Sequence, residues 1–223
     1  PVVASNRINT PELAEDIVAS GDADLISMAR PMLADPHFVR KTRQGRTDEI
    51  NTCIACNQAC LDYIFSERVA GCLVNPRAGR ETEFHDTVAT VPKKIAVVGG
   101  GAAGLASAAE AGRLGHDVTL FEAAETLGGQ LNLARVAPGK DEFDETLRYF
   151  RTQLHKHGVA VKLGATVSAT DLDGFDHVVI ATGVTPRVPD VVGIDHPKVA
   201  TYAQILSGER RAGARVAVMG AGG

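Results

Sequence analysis

The sequence has no excess of positive charge, no long apolar run, no low-complexity stretch and no cysteine outside one short window. Each absence excludes something. A formal net charge of −4 leaves no electrostatic footprint for nucleic acid. No apolar run approaches the ~18 residues that a membrane span requires. The N-terminal stretch lacks the charged-then-apolar pattern of a secretory signal, so the chain reads as cytoplasmic. An initiating Met is also missing. The chain starts on Pro1-Val2-Val3-Ala4, as if a strand were already under way, and stops at Gly220-Ala221-Gly222-Gly223, inside a glycine motif. The expectation is an internal piece of a longer protein. What is present suffices for a core: 223 residues, 44% hydrophobic, a length that corresponds to one or two domains.

All four cysteines, Cys53, Cys56, Cys60 and Cys72, fall within twenty residues in the spacing C-x2-C-x3-C-x11-C. Disulfides do not suit a cytosolic chain. Structural zinc generally uses two well-separated C-x2-C knuckles. Three close thiolates and one remote one suit a compact [4Fe–4S] site better. Zinc and free thiols remain the alternatives.

Along the chain, residues 1–45 read as strand, helix, strand, short helix. Thr10-Pro11 is a helix start, with a hydroxyl N-cap followed by Pro at N1. The helix is expected to run to about Ser20, between strands at Val2–Ala4 and Leu25–Met28. Two such strands imply a parallel crossover, and they cannot close a barrel by themselves. Residues 46–92 hold the cysteines and little periodicity, so a bound cluster would help to order them. Residues 93–212 read as a second α/β unit. Its strands are expected at Lys94–Val98, Val118–Glu122, Val159–Leu163, Ala165–Val167 and Val178–Ala181, the last a continuous apolar run suited to a buried parallel strand. An amphipathic helix is expected over Glu142–His157. Residues 213–223 read as the first strand and glycine turn of a further nucleotide-binding unit, and they echo the turn at Gly99.

Gly99, Gly101 and Gly104 form G-x-G-x-x-G between a strand and an Ala-rich helix, and Glu122 ends the next strand. That context turns a weak pattern into a dinucleotide fingerprint. Gly99 permits the tight turn, Gly101 lets the backbone approach a pyrophosphate, and Gly104 lets helix and strand pack closely. The helix N-terminus offers unpaired N–H groups to the phosphates. Glu122 suits an unphosphorylated ribose, which favours FAD or NAD over NADP at this site. Leu127-Gly128-Gly129-Gln130 and Ala181-Thr182-Gly183 then favour FAD, because flavoproteins of the disulfide-reductase type carry such turns at these places.

Several segments together resemble the iron–sulfur flavoenzymes of the old yellow enzyme superfamily, and among them the NADPH-dependent 2,4-dienoyl-CoA reductases. They are Cys53 to Cys60, Gly71-Cys72-Leu73-Val74-Asn75-Pro76, Ser5 to Pro11, Met28-Ala29-Arg30-Pro31, Pro138 to Phe143 and Gly193 to Pro197. The resemblance runs over essentially the whole chain. It implies an α/β protein in four parts. Residues 1–45 would be the last two strands and helices of a (β/α)8 barrel, with Arg7 and Arg30 at the FMN phosphate. Residues 46–92 would carry the cluster and a linker, 93–212 the first part of a Rossmann-like FAD-binding domain, and 213–223 the start of an NAD(P)H-binding domain. It further implies FAD contacts at Ala103, Glu122, Gln130, Lys140 and the backbone of Val167, beside Gly129 of the glycine pair.

The implied chemistry is a relay from NADPH (NADH is possible) through FAD and the cluster to FMN, which reduces an activated C=C bond of an enoyl- or dienoyl-CoA thioester. No catalytic residue is expected within this chain, because the family's Tyr and His proton donors lie earlier in the barrel. Tyr63, Tyr149, Tyr202, His37, His85, His155 and His157 do not replace them. His155 and His157 read as a solvated helix end, favoured by the helix dipole. Three rivals stand. One is an amine dehydrogenase of the same superfamily, whose tighter cysteine spacing differs from the x3 gap here. Another is a glutamate-synthase-like electron-input subunit, against which the barrel-like Asn6-Arg7 and Ala29-Arg30-Pro31 argue. The third is a folded piece that binds cofactor and turns nothing over, which is the expectation for residues 1–223 alone.

Overall fold

The computed structural model describes residues 1–84 and 86–220. His85 and the last three residues of the glycine motif, Ala221–Gly223, lie outside the described residues. β1 (Val3–Ser5), α1 (Pro11–Ala19) and β2 (Leu25–Ser27) form a strand–helix–strand unit, and the two strands pair in parallel with Ala4 opposite Ile26. α1 begins where Thr10 Oγ1 accepts a hydrogen bond from the Leu13 amide, with Pro11 at its first turn. α2 (Arg30–Ala34) and α3 (Phe38–Arg43) follow, then a 3₁₀ turn at Thr47–Glu49 and the short α4 (Leu61–Phe65). Ile8, Ala34, Phe38, Ile50 and Ile54 are buried in this half. Val3 and Leu25 are more than half exposed, because two strands cannot cover one another's faces. A closed barrel is not among the described residues.

The second half is a four-stranded parallel sheet in the order β5-β4-β3-β6. It is built from β3 (Lys94–Val98), α5 (Ala102–Arg113), β4 (Asp117–Phe121), α6 (Leu131–Ala134), α7 (Phe143–Lys156), β5 (Ala160–Lys162) and β6 (His177–Ile180), with α8 (Tyr202–Leu206) beyond it. β3 carries alternating Ile95, Val97 and small Ala96, the last two fully buried. The core joins Val97, Leu105, Ala108, Val118, Leu120, Leu147 and Leu154, so α5 and α7 cover one face of the sheet. Burying each of these leucines contributes about 1.5–3 kcal/mol. No helix among the described residues is long and apolar enough to cross a membrane.

Three expected elements differ. The Val178–Ala181 run is at the sheet edge rather than buried on both sides, with Val178 41% and Ile180 66% exposed, because among the described residues β6 has β3 as its single partner. Ala165–Val167 forms no strand. The chain has already left β5 and turns into a 3₁₀ helix at Ala169–Leu172. Val216–Gly220 is irregular and its large side chains are exposed, since no neighbouring strand receives it among the described residues.

β3, α5 and β6 meet at the glycine loop. A Cβ on Gly104 would stand 1.8 Å from the Gly99 carbonyl oxygen, and one on Gly99, at φ 107°, would stand 2.3 Å from the Ala181 oxygen. Backbone fills both places, so no rotamer relieves the clash. Gly104→Ala is therefore expected to cost about 3 kcal/mol, which at this chain length lowers the melting temperature by about 6–12 °C. Calorimetry on the variant checks this, and an unchanged Tm would show that the helix can retreat from the strand.

Candidate cofactor sites

The cysteine loop turns sharply. Ala55 (φ 52°) and Asn57 (φ 62°) adopt left-handed backbone, which bends the short first run so that Cys53, Cys56 and Cys60 reach one cavity. Cys72 joins them from the far arm, and the Gly71 amide bonds to the Ala59 carbonyl at 2.6 Å. The remaining wall is Arg30, Leu33, Ile54, Asn57, Leu73 and Val74. Three asparagine amides hold the surrounding backbone: Asn9 Nδ2 donates to the Cys53 carbonyl (3.1 Å), Asn51 Nδ2 to Val74 (2.7 Å) and Asn75 Nδ2 to Leu33 (2.8 Å). The two arms are thus tied together by polar groups whose partners are carbonyls that would otherwise be unpaired.

All four thiols are free. Burial raises the pKa of Cys53 and of Cys72, and this is opposed by the Ala55 amide at Cys53 and by the Val74 and Asn75 amides at Cys72. Such thiols stay neutral unless a cation stabilises the thiolate. No carboxylate or imidazole lines the cavity, so the donor set is soft sulfur alone, unsuited to a hard cation. Among the described residues, no three His, Cys, Asp or Glu side chains converge on a single metal ion.

The second site is the glycine loop. α5 has no side-chain cap at Gly101, which leaves its first amides open to an anion. Ala103 is exposed in that first turn. Gly128 N bonds to the Gly100 carbonyl at 2.8 Å, and a Cβ on Gly129 would stand 3.0 Å from Gly101 Cα, so the Leu127–Gly129 turn lies directly against the loop. Gln130 Nε2 bonds to the Val184 carbonyl at 3.0 Å, drawing in the segment after β6. Glu122 accepts from two amides, Oε2 from Gly100 (2.6 Å) and Oε1 from Ala124 (2.7 Å). It is therefore a loop anchor, and each oxygen keeps a second lone pair. Gly99, Gly101, Gly104, Glu122, Gly129 and Gln130 come together. Lys140 and Val167 are tied to the loop by no hydrogen bond: the Lys140 ammonium sits 5.7 Å over the Phe143 ring, and Val167 is half-buried before the 3₁₀ helix.

The two arginines are engaged by protein. Arg7 pairs with Glu142, which raises its pKa. Arg30 lines the cysteine cavity and bridges Asn57 Oδ1 (2.5 Å) and Asn6 Oδ1 (3.2 Å). His157 differs from the expected solvated helix end. It is half-buried beside Gly112, and burial, then Lys156 and Arg113, lowers its pKa.

Sequence reading missed Gly100, where a Cβ would stand 2.7 Å from Leu127 Cδ2 and 2.9 Å from Glu122 Oε2. It also missed the asparagine amides and Asn132, whose Nδ2 holds the Leu127 carbonyl at 3.1 Å. The density of Asn in and beside the cysteine segment was the available signal.

Residues 93–223 match the family described as pyridine nucleotide-disulphide oxidoreductase. The chain belongs to that family. Residues 1–49 match a second one, NADH:flavin oxidoreductase / NADH oxidase. The pair of matches supports flavin oxidoreductases of the old yellow enzyme type, with flavin and pyridine nucleotide as cofactors, and not 2,4-dienoyl-CoA reductase in particular. A metal reductase of Desulforamulus reducens is 41% identical over the whole chain, which covers 34% of that protein. The structure of a 2-naphthoyl-CoA reductase in complex with 2-naphthoyl-CoA superposes with a TM-score of 0.91 at 38% identity, over 96% of this chain and 33% of that one. Histamine dehydrogenase from Rhizobium sp. 4-9 superposes at 0.82 and 30% identity, over 95% and 34%. The chain thus spans about a third of the length of these relatives.

Just ahead of the cysteines, Glu49 receives Arg46 Nη2 at 2.7 Å and Lys156 Nζ of α7 at 2.5 Å. These cations, Arg46 first, hold its carboxyl at about 2 against an ordinary 4.5. A depressed folded pKa stabilises above the unfolded value and is lost as pH falls from 4.5 towards 2. The melting-temperature gap between wild type and Glu49→Gln is therefore expected to be full above that window and to close across it. A gap independent of pH would contradict the assignment.

Proposed function

We propose that this chain is the electron-carrying middle of an NAD(P)H-dependent flavin and iron–sulfur oxidoreductase. FAD would lie on the glycine loop and a [4Fe–4S] cluster would be held by Cys53, Cys56, Cys60 and Cys72. The observation that carries the reading is the single cavity ringed by four thiols and no other ionisable group except Arg30. When bound, the flavin accepts an electron pair as hydride and releases electrons singly, and the cluster passes them one at a time.

The residues supply binding and orientation. The open amides at the start of α5 take the pyrophosphate, Glu122 takes the ribose, and Gly129 and Gln130 hold the turn along which the flavin lies. Ala103, Lys140 and the Val167 backbone are further FAD contacts by resemblance. The Ala55, Val74 and Asn75 amides point at sulfurs, where they stabilise thiolate charge. Residues 1–45 are proposed as the end of an FMN-binding barrel, with Arg7 and Arg30 turning to its phosphate, and residues 213–223 as the start of the NAD(P)H domain.

The proposed substrate is an activated C=C bond conjugated to a CoA thioester. The likeness to a 2-naphthoyl-CoA reductase supports the thioester, and a 2,4-dienoyl-CoA is the first compound to try. Likeness to histamine dehydrogenase favours amine oxidation as the second reading, at lower identity. Anaerobic NADPH oxidation by the full-length parent, with and without 2,4-dienoyl-CoA and 2-naphthoyl-CoA, tests this. Acceleration by a thioester is expected. Turnover of amines with no response to thioesters would transfer the protein to the second reading. Residues 1–223 alone are expected to reduce neither thioester, and turnover by the isolated chain would refute that. In the parent, Cys72→Ala is expected to lose most of its iron while NADPH still bleaches the FAD. Full iron retention would remove Cys72 from the ligand set.

A further inference from the structure

α7 has two working faces. Leu147, Phe150 and Leu154 enter the core beneath the sheet. Helical periodicity sets Glu142, Glu145, Arg148 and Lys156 on the opposite side. All four reach into the first half of the chain. Glu142 takes Arg7, and Lys156 takes Glu49. Glu145 Oε2 accepts from Thr52 Oγ1 at 3.2 Å and from Arg148 Nε at 2.8 Å. Arg148 does the most. Its Nη1 donates to the Asp48 carbonyl, and its Nη2 donates to the Ile50 carbonyl at 2.7 Å and to Thr52 Oγ1 at 3.3 Å.

The segment held in this way is Asp48–Thr52, directly ahead of Cys53. Ile50 to Ile54 are buried without a break. Carbonyls in or beside a buried stretch need donors, and a planar guanidinium can serve several at fixed angles where an ammonium is a point donor. A continuous path of packed backbone results. The glycine loop opens α5, α5 packs on α7, and Arg148 of α7 grips the residues that present the Cys53 sulfur.

We propose that Arg148 is a positioning residue for electron transfer: it fixes the first cysteine of the cavity at a set separation from the flavin loop. The proposal rests on the cofactor assignment above. Electron transfer between two fixed centres falls steeply with their separation, so loosening this grip slows that step. Hydride uptake by the flavin does not pass through it.

The test uses the full-length parent carrying FAD and iron. In Arg148→Met, iron content, FAD content and the rate of FAD bleaching by NADPH are expected to stay at wild-type values. Reduction of the cluster, followed by its electron paramagnetic resonance signal after rapid freezing, is expected to slow about tenfold or more. Amide hydrogen exchange over residues 48–52 is expected to rise. Arg148→Lys, able to serve fewer of the acceptors, is expected to fall between. Wild-type cluster reduction in Arg148→Met would overturn the proposal, whatever the exchange shows. If that variant does not fold, Arg148→Lys decides, since it keeps the charge and cannot serve all three acceptors: slowed transfer supports the proposal and unchanged transfer overturns it. A wild-type parent whose FAD is bleached but which holds no iron would overturn the cofactor assignment and the proposal together. An intact wild-type relay with indifferent variants would overturn the proposal alone.

Discussion

Gly104 lies so close to Gly99 that a single methyl group would strike the Gly99 carbonyl, and much of the second half is arranged around that contact. The approach brings α5 down onto β3 and β6 at the Ala181 backbone. It therefore sets where the open amides of α5 point. The same closeness leaves room for the Leu127–Gly129 turn to dock on Gly100 and Gly101. Glu122 then joins the loop to the end of β4 through the Gly100 and Ala124 amides. A surface of open backbone amides results, with one carboxylate beside it.

The first half is ordered differently. It has a small apolar core and depends on polar ties. The Asn9, Asn51 and Asn75 amides, Arg30 between two asparagines, and the buried Asp35 pair the loops with one another. Asp35 accepts from the Asn51 and His37 amides and from Lys41, so its charge is compensated where it is buried. These ties shape the cysteine cavity from protein contacts. Burial holds the Cys53 and Cys72 thiols towards the neutral form, opposed at each by backbone amides.

The two halves meet along α7. Its apolar face belongs to the sheet and its charged face to the residues before Cys53, so one helix joins the nucleotide-binding unit to the cysteine cavity. The proposed relay needs its redox centres held apart at fixed spacing while electrons pass between them. A helix buried on one side and hydrogen-bonded to backbone on the other meets that need better than surface ion pairs between side chains.

Much of this was legible in the amino-acid order, because local chemistry decides it. Thr10-Pro11 starts α1, apolar periodicity marks α7, G-x-G-x-x-G follows a strand, and four cysteines share one window. Such signals need a few neighbours in sequence and nothing else. Tertiary structure decided what depends on partners far away in the chain. The apolar run at Val178–Ile180 became an edge strand, because exposure depends on how many strands lie beside it. Glu122 became an anchor for Gly100, and His157 a half-buried packing residue. Arg148 could be read as one more charge on a helix face until the fold brought Asp48, Ile50 and Thr52 to it from about a hundred positions earlier. Sequence alone determined which groups were available, whereas their hydrogen-bond partners were set by packing, which sums over contacts that no short stretch contains.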